Sequence, residues 1–288
     1  MGHVAVVTDS TASLPEDVAK AHDITVVPLQ LVIGSESYDD GVDPAATPER
    51  VAEALREYLP VSTSRPSPQL LAETYAELAA QGADSIVSVH LSAEMSATYE
   101  SALLAARRTD VPVKTVDTRH VGAATGYAAV AAARAVAAGA DAEEACHVAR
   151  RRADSTASLF YVATLDYLRR GGRVGTAAAL VGSALAVKPI LGLEDGRVVT
   201  REKVRTAGRA IARLEELAVR AAGVREVEVT VCHLDNLAQA QGLADRLSER
   251  LGERLVADGM RIGQVGAVIG AHVGPGLLGV VVSPLVDR

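Results

Sequence analysis

The sequence predicts an α/β protein with an N-terminal parallel-sheet α/β domain and a second α+β domain. Short β-branched runs alternate with helical segments through the first half. The second half contains Asp195-Gly196, which is typical of a hairpin turn, and 288 residues exceed one typical domain. We therefore predict domains at 1–157 (Rossmann-like) and 158–288, with the final strands as the part that could return to the first domain.

The first half contains four short apolar runs of the kind that a parallel sheet buries on both faces. These predicted strands are residues 4–7, 24–33, 85–91 and 113–116. The segments between and after them have amphipathic or Ala-rich helical spacing, and Ser13 is a predicted N-cap. The predicted helices are residues 14–21, 49–59, 69–80, 96–108, 123–138 and 142–153. This β-α alternation is what predicts the parallel sheet.

The second half mixes hairpin and helix patterns. Asp195-Gly196 lies between the strand-like runs 189–193 and 197–204 and is typical of a tight hairpin turn. The other predicted strands are residues 159–164, 226–233, 265–269 and 278–282. The predicted helices are residues 165–170, 176–186, 209–222 and 237–251. Hairpins combined with helices indicate an α+β domain.

Composition narrows the functional class. The net charge of −7 argues against nucleic-acid binding, which requires clustered Lys and Arg. Cys146 and Cys232 match no metal or redox spacing, so we expect no metal site. No apolar run is long enough to span a bilayer, and the chain opens on a strand-like run. We therefore expect a cytoplasmic protein without stable membrane insertion.

Hydroxyl-rich segments follow the predicted strands, where an open α/β sheet binds its ligands. Ser92, Ser96 and Thr98 surround one helix start, which is more hydroxyls than capping alone requires. Ser96 with the N–H groups of Ala97 and Thr98 could hold a carboxylate or phosphate. Capping of the helix is the structural alternative for these hydroxyls.

Two further donors stand in other segments. Thr63-Ser64 lies between two predicted helices, and Thr63 could donate to an anion or simply help cap the next helix. His272 precedes a Gly-Pro-Gly turn and could contact the same anion or be a buried structural histidine. The glycines of that turn formally match a dinucleotide motif, but they precede a strand rather than open a helix.

Arg169, Arg170 and Arg173 flank a Gly-Gly pair. They fit a helix C-terminus, where cations are favourable, or a patch that docks a partner or an anion. An enzyme that acts on a small anionic substrate through Ser96 and His272, a hydrolase or transferase, is the alternative function. Against it, no third group that would orient the histidine is identifiable.

The ordered set of motifs resembles the DegV family of bacterial fatty-acid-binding proteins over essentially the whole chain. The matching motifs, in chain order, are Val7-Thr8-Asp9-Ser10, Thr63-Ser64-x-Pro66, Ser92-x-x-x-Ser96-x-Thr98-Tyr99, Asp117-Thr118, Thr164-Leu165-x-Tyr167-Leu168-x-x-Gly171-Gly172-Arg173 and His272-Val273-Gly274-Pro275-Gly276. The resemblance implies two domains with one long-chain fatty acid between or beneath them. It also implies that the carboxylate meets a set of hydroxyl, backbone and imidazole groups, namely Thr63, Ser64, Ser96, Ala97 and His272.

The resemblance further implies a non-catalytic carrier that presents its fatty acid to a separate fatty acid kinase catalytic subunit. That kinase would bring ATP and magnesium, so the bound fatty acid is the only ligand expected here, and we expect a monomer. Two positions depart from the family pattern. Ala97 stands where the family usually has glycine, and Arg65 where it often has an uncharged polar residue. A lipid sensor with a partner other than a kinase is a third possible function.

Overall fold

The structure is a computed structural model that describes residues 2–180 and 187–286. Its contacts divide the chain into two compact units. The first unit comprises residues 2–30 and 64–155, and the second comprises residues 31–63 and 156–285 apart from the gap. The predicted division was a single cut near residue 157, whereas the structure groups residues 31–63 with the C-terminal half.

Within the described ranges the chain forms thirteen strands and ten α-helices. The strands are β1 (Val4–Asp9), β2 (Ile24–Val27), β3 (Gln30–Ile33), β4 (Glu36–Asp39), β5 (Val61–Ser64), β6 (Ser85–His90), β7 (Val113–Asp117), β8 (Ala157–Tyr161), β9 (Lys188–Glu194), β10 (Arg197–Val204), β11 (Val227–His233), β12 (Leu255–Gln264) and β13 (Leu278–Pro284). The helices are α1 (Glu16–Ala21), α2 (Pro48–Arg56), α3 (Pro68–Ala80), α4 (Thr98–Ala106), α5 (Ala123–Ala137), α6 (Ala142–Ser155), α7 (Asp166–Arg170), α8 (Ala207–Ala222), α9 (Leu237–Leu251) and α10 (Ala267–Val273). None of the helices in this part of the chain has the length and apolar character needed to cross a bilayer.

The first unit is built on the predicted parallel sheet, in the order β2-β1-β6-β7. Val6 of β1 pairs with Ile24 on one side and Val87 on the other, and all three side chains are buried. Helices α5 and α6 belong to one apolar cluster with this sheet, and α3 and α4 to another. The alanines of α5 allow its backbone to approach the strands closely, because small side chains fill little space. The α/β class predicted for this unit is confirmed.

The second unit contains a six-stranded mixed sheet in the order β10-β9-β8-β13-β11-β12. Helices α8 and α9 bury their apolar faces in one cluster with it. Strands β9 and β10 form the predicted hairpin, in which Asp195 (φ 48°) and Gly196 (φ 79°) both take the left-handed conformation that such turns require.

A small three-stranded sheet, in the order β4-β3-β5, completes the second unit together with α2. Leu31 of β3 and Val51 and Ala54 of α2 are buried in one cluster with Ala267 and Ala271 of α10. This shared apolar core explains why residues 31–63 belong with the C-terminal half. No local sequence signal could show it, because the two segments are more than 200 residues apart.

Several predicted elements were wrong in kind or extent. Residues 265–269 were predicted as a strand, but most of them begin helix α10, because a short apolar run fits a buried helix equally well. Residues 24–33 form two strands in different sheets, interrupted at Pro28, which lacks the N–H that a ladder needs. Strand β12 was missed because it is only partly buried and contains Gly259.

Two loop interpretations also change. Ser13 is not the N-cap of α1; it adopts φ 50° after a short 3-10 turn, and the helix begins at Glu16. Thr63 and Ser64 lie on β5 rather than in a loop. The predicted helix at 176–186 is a 3-10 helix over Gly175–Leu180, and its remaining residues lie outside the described ranges.

A chain of polar side chains crosses the core of the first unit. The Tyr75 hydroxyl lies 2.7 Å from Ser88 Oγ, which lies 2.8 Å from His90 Nε2. His90 Nδ1 lies 2.9 Å from the Asp9 carboxylate. All four residues are fully buried. We assign His90 Nδ1–H as the donor to Asp9 and Nε2 as the acceptor from Ser88, whose oxygen accepts from the Tyr75 hydroxyl. Burial raises the pKa of Tyr75 to about 12, which keeps the phenol protonated.

We expect Ser88→Ala to lower the free energy of unfolding by about 2–4 kcal/mol, because it leaves the Tyr75 hydroxyl and His90 Nε2 buried without partners. Tyr75→Phe removes only the terminal donor and should cost less, and the double variant should cost less than the two single changes added together. Denaturant unfolding of all variants measures this. Ser85→Ala, at the half-buried start of the same strand, is the control. Equal stability of Ser88→Ala and Ser85→Ala would contradict the hydrogen-bond assignment.

Candidate functional site

The second unit brings together two of the predicted site residues that are 209 positions apart. Thr63 Oγ1 on β5 lies 2.8 Å from His272 Nε2 in the last turn of α10. The apolar cluster that joins the small sheet and α2 to α10 is what places these two side chains side by side. The structure therefore assembles a hydroxyl–imidazole pair from the two ends of the unit.

Gly171 lies against the imidazole of His272, and Tyr167 lies against the end of α10 at Gly274. A Cβ at Gly171 would overlap Nδ1 of His272, so only glycine leaves room for the ring. Gly274 ends α10 at φ 72°, and a Cβ there would overlap the ring of Tyr167. The sequence predicted a helix C-terminus at Gly171 and a tight turn at Gly274. Their close approach to α10 was not predicted.

His272 is a neutral imidazole at physiological pH. Burial, together with a smaller contribution from the nearby positive charge of Arg173, lowers its pKa to about 4. The ring Nδ1 is buried and has no hydrogen-bond partner among the described residues. A proton on Nδ1 would be an orphaned buried donor, which proteins rarely tolerate, whereas an unpaired acceptor is less unusual. We therefore assign the proton to Nε2, which donates to Thr63 Oγ1.

This tautomer determines what the Thr63 hydroxyl can do. Its oxygen accepts from His272, so its own O–H is directed elsewhere and remains available as a donor. Thr63 is not needed as a helix cap, because Ser67 caps α3 by accepting from the N–H of Leu70. The capping alternative for Thr63 is thereby removed, and a half-buried neutral donor remains.

The hydroxyl-rich segment of the first unit leads from β6 into α4. Ser96 Oγ lies 2.9 Å from Thr98 Oγ1 and accepts from the N–H of Thr98 at 3.3 Å. Ser96 therefore contributes to capping, which was the alternative to anion binding. Its side chain is half-buried and still partly accessible. Ala97 is the N-cap residue of α4 and makes no side-chain cap of its own. Helix α4 begins at Thr98, two residues later than predicted.

Of the neighbouring residues Ser64 and Arg65, only Arg65 contacts this segment. The exposed Arg65 donates from Nη1 to the carbonyl oxygen of Ala97 at 3.3 Å, which joins the two positions that depart from the family pattern. Ser64 is exposed at the end of β5. Within the first unit, Arg65 thus binds the segment that carries Ser96 and Ala97. Among the described residues, the Ser64 side chain makes no hydrogen bond to that segment.

The three arginines of the Gly-Gly motif have separate environments. Arg169 lies 3.8 Å from Asp166, and Arg170 lies over the ring of Tyr167 at 5.9 Å; both arginines are exposed. Arg173 is half-buried and donates to the carbonyl oxygen of Gly171. The charge of Arg173 also helps to lower the pKa of His272, whereas Arg169 and Arg170 are exposed at the surface of the unit.

Two histidines bear on the enzyme alternative. Nε2 of His272, the atom that a serine nucleophile would use, is engaged by Thr63. The Ser88–His90–Asp9 arrangement has the connectivity of a catalytic triad, but Ser88 is fully buried and cannot meet a substrate. Within the described ranges, no three His, Cys, Asp or Glu side chains group as metal ligands would.

Comparison with known proteins gives whole-length matches. The family described as "Uncharacterised protein, DegV family" matches residues 3–285. A DegV domain-containing protein of Streptomyces coelicolor is 53% identical over 281 residues, which is 98% of each chain. A solved fatty-acid-binding DegV family protein from Thermus thermophilus is 30% identical with a TM-score of 0.90, covering 98% of this chain and 100% of its own. DegV of Bacillus subtilis, a fatty acid binding protein, is 31% identical with a TM-score of 0.90 and coverages of 99% and 100%. This chain therefore belongs to the DegV family, in which solved members bind fatty acids.

Proposed function

We propose that this protein binds one long-chain fatty acid and holds its carboxylate with neutral hydroxyl donors. The observation that carries the proposal is the Thr63–His272 pair, in which the histidine leaves the Thr63 O–H free to donate. Support comes from relatives of the same length and fold, at 30–31% identity, that bind fatty acids.

Further donors belong to the same proposal. An ionised carboxylate that leaves water needs several hydrogen bonds, because an unpaired buried charge is costly. The family resemblance assigns Ser96, the backbone at Ala97 and Ser64 to this task. The half-buried Ser96 hydroxyl at the start of α4 supports its assignment. The exposure of Ser64 gives its assignment the least support.

The hydrocarbon tail should supply most of the binding free energy. Each buried methylene contributes roughly 0.8 kcal/mol, so a tail of about 14 methylenes offers roughly 11 kcal/mol before ordering costs. Neutral donors at the head then suffice, since they select an acid rather than provide affinity. Substitutions of the head-group residues should therefore change selectivity between an acid and an alcohol more than retention of the tail.

We further propose that the protein is a cytoplasmic, monomeric carrier that presents the acid to a separate fatty acid kinase. In that reaction a carboxylate oxygen attacks the γ-phosphorus of ATP, ADP leaves, and an acyl phosphate forms. The exposed Arg169 and Arg170, with Arg173, are the proposed contacts for the kinase. Trapping the acyl phosphate with hydroxylamine tests this step, and a kinase reaction that proceeds equally well without the protein would contradict it.

Organic extraction of the purified protein followed by mass spectrometry should release a stoichiometric long-chain fatty acid. Ser96→Ala protein should retain less acid, because one head-group donor is lost. Ser101→Ala is the matched control on α4, since Ser101 Oγ is buried with no partner among the described residues. An empty extract, even after incubation with mixed fatty acids, would overturn the proposed function. Labelling by a serine-directed reagent would then favour the enzyme alternative.

The preference for an acid over the alcohol of equal length should stay constant between pH 6 and pH 8. His272, whose pKa is lowered to about 4 mainly by burial, is neutral throughout this range. If a charged histidine with an ordinary pKa near 6.5 held the carboxylate, the preference would fall as pH rises through that value. Equilibrium dialysis of both ligands measures the ratio. Measurements should stay above pH 6, because a lowered histidine pKa makes stability fall as pH drops from about 6.5 toward 4.

A further inference from the structure

The segment that carries Ser96 is held by carboxylates from the two strands that flank β6 in the sheet. Asp9, the last residue of β1, accepts from the N–H of Leu91 at 3.1 Å. Asp117, the last residue of β7, accepts from the N–H of Ala93 at 3.3 Å. Both bonds fall where the chain leaves β6, before the turn that leads to Ser96.

The Asp9 carboxylate is committed to the core as well. Its Oδ1 accepts from the backbone N–H and the hydroxyl of Thr11, and its Oδ2 accepts from His90 and Leu91. Asp9 is fully buried. Its replacement would disturb the whole polar chain of the first unit, so its effect on Ser96 could not be separated from its effect on folding.

Asp117 is the more specific of the two carboxylates. The same Oδ1 atom that accepts from Ala93 accepts from the N–H of Arg119 at 2.8 Å, and Arg119 adopts φ 53°. Asp117 is only half-buried, whereas Asp9 is fully buried, so replacement of Asp117 disturbs the core less. The loop after β7 is joined to the same segment by a second bond, from the N–H of Ser92 to the carbonyl oxygen of His120 at 2.8 Å.

Hydrogen bonds within the turn connect Ser92 and Ala93 to Ser96. The carbonyl oxygen of Ser92 accepts from the N–H of Met95 at 3.0 Å and from that of Ser96 at 3.1 Å. Ser92 Oγ accepts from the N–H of Glu94 at 3.2 Å. The turn is therefore internally closed, and its orientation depends on what holds its first residues.

We propose that Asp117 is a positioning residue for the Ser96 hydroxyl, acting through the N–H of Ala93. The inference rests on the proposed function, because it assigns Ser96 to the head group. The requirement is an oxygen acceptor at this point; the negative charge strengthens the bond but is not essential to its geometry. Asparagine keeps that oxygen, and alanine does not.

The test compares equilibrium dissociation constants for palmitate and hexadecanol in the wild type and in Asp117→Ala and Asp117→Asn. We expect Asp117→Ala to reduce the preference for the acid about fivefold, with hexadecanol affinity unchanged, and Asp117→Asn to recover most of it. Asp110→Ala is the matched control, because Asp110 is an exposed carboxylate beyond the opposite end of β7. Asp117→Val also lacks the acceptor but suits the end of a strand better, and it gives the same test if the alanine variant does not fold.

The possible outcomes distinguish a failure of the proposed carboxylate site from a failure of the role proposed for Asp117. A wild type that binds palmitate no better than hexadecanol would overturn the proposed carboxylate-binding site itself. A wild type that prefers the acid, together with an unchanged preference in Asp117→Ala, would overturn the positioning role alone. Equal weakening of both ligands in Asp117→Ala would also overturn it, because a purely structural residue has that effect.

Discussion

The hydrogen bond between His272 Nε2 and Thr63 Oγ1 is the interaction on which the proposed site depends. A histidine that is partly removed from water with a pKa near 4 has one useful proton, and the lack of a partner at Nδ1 assigns that proton to Nε2. Thr63 then has its oxygen occupied and its hydrogen free. The imidazole thus converts an ordinary hydroxyl, which could accept or donate, into a donor of fixed direction. Such a donor suits a carboxylate, which can only accept.

The residues around this pair leave room for the imidazole ring and favour its neutral form. Gly171 leaves space for the ring, and Gly274 ends α10 against Tyr167 in a conformation that other residues rarely adopt. Arg173 donates to the carbonyl oxygen of Gly171, and its charge disfavours a second proton on His272. The Gly-Gly-Arg and His-Val-Gly-Pro-Gly motifs are far apart in sequence, but in the second unit Gly171 of the first lies against the imidazole of the second.

Sequence patterns predicted the parts of this fold that depend on local physics. The parallel sheet follows from short buried runs, and the β9–β10 hairpin follows from Asp195-Gly196. The start of helix α10 was mistaken for part of a strand because the short apolar run of residues 265–269 has no period that separates a strand from a buried helix. Thr63 lies beside His272 only because residues 31–63 pack against α10, and no residue spacing in the sequence predicts that packing. The role of Asp117 was missed because its partner is a backbone N–H, and every residue except proline has one.

Carbon-13 NMR of carboxyl-labelled palmitate bound to the protein would show whether Thr63 donates to the carboxylate. We expect the bound carboxyl resonance of Thr63→Ser to match that of the wild type, since serine keeps the donor. In Thr63→Val, which has nearly the same shape but no hydroxyl, the resonance should move upfield because one hydrogen bond to the carboxylate is lost. Identical bound resonances in the wild type and Thr63→Val would show that Thr63 does not donate to the head group and would contradict the account.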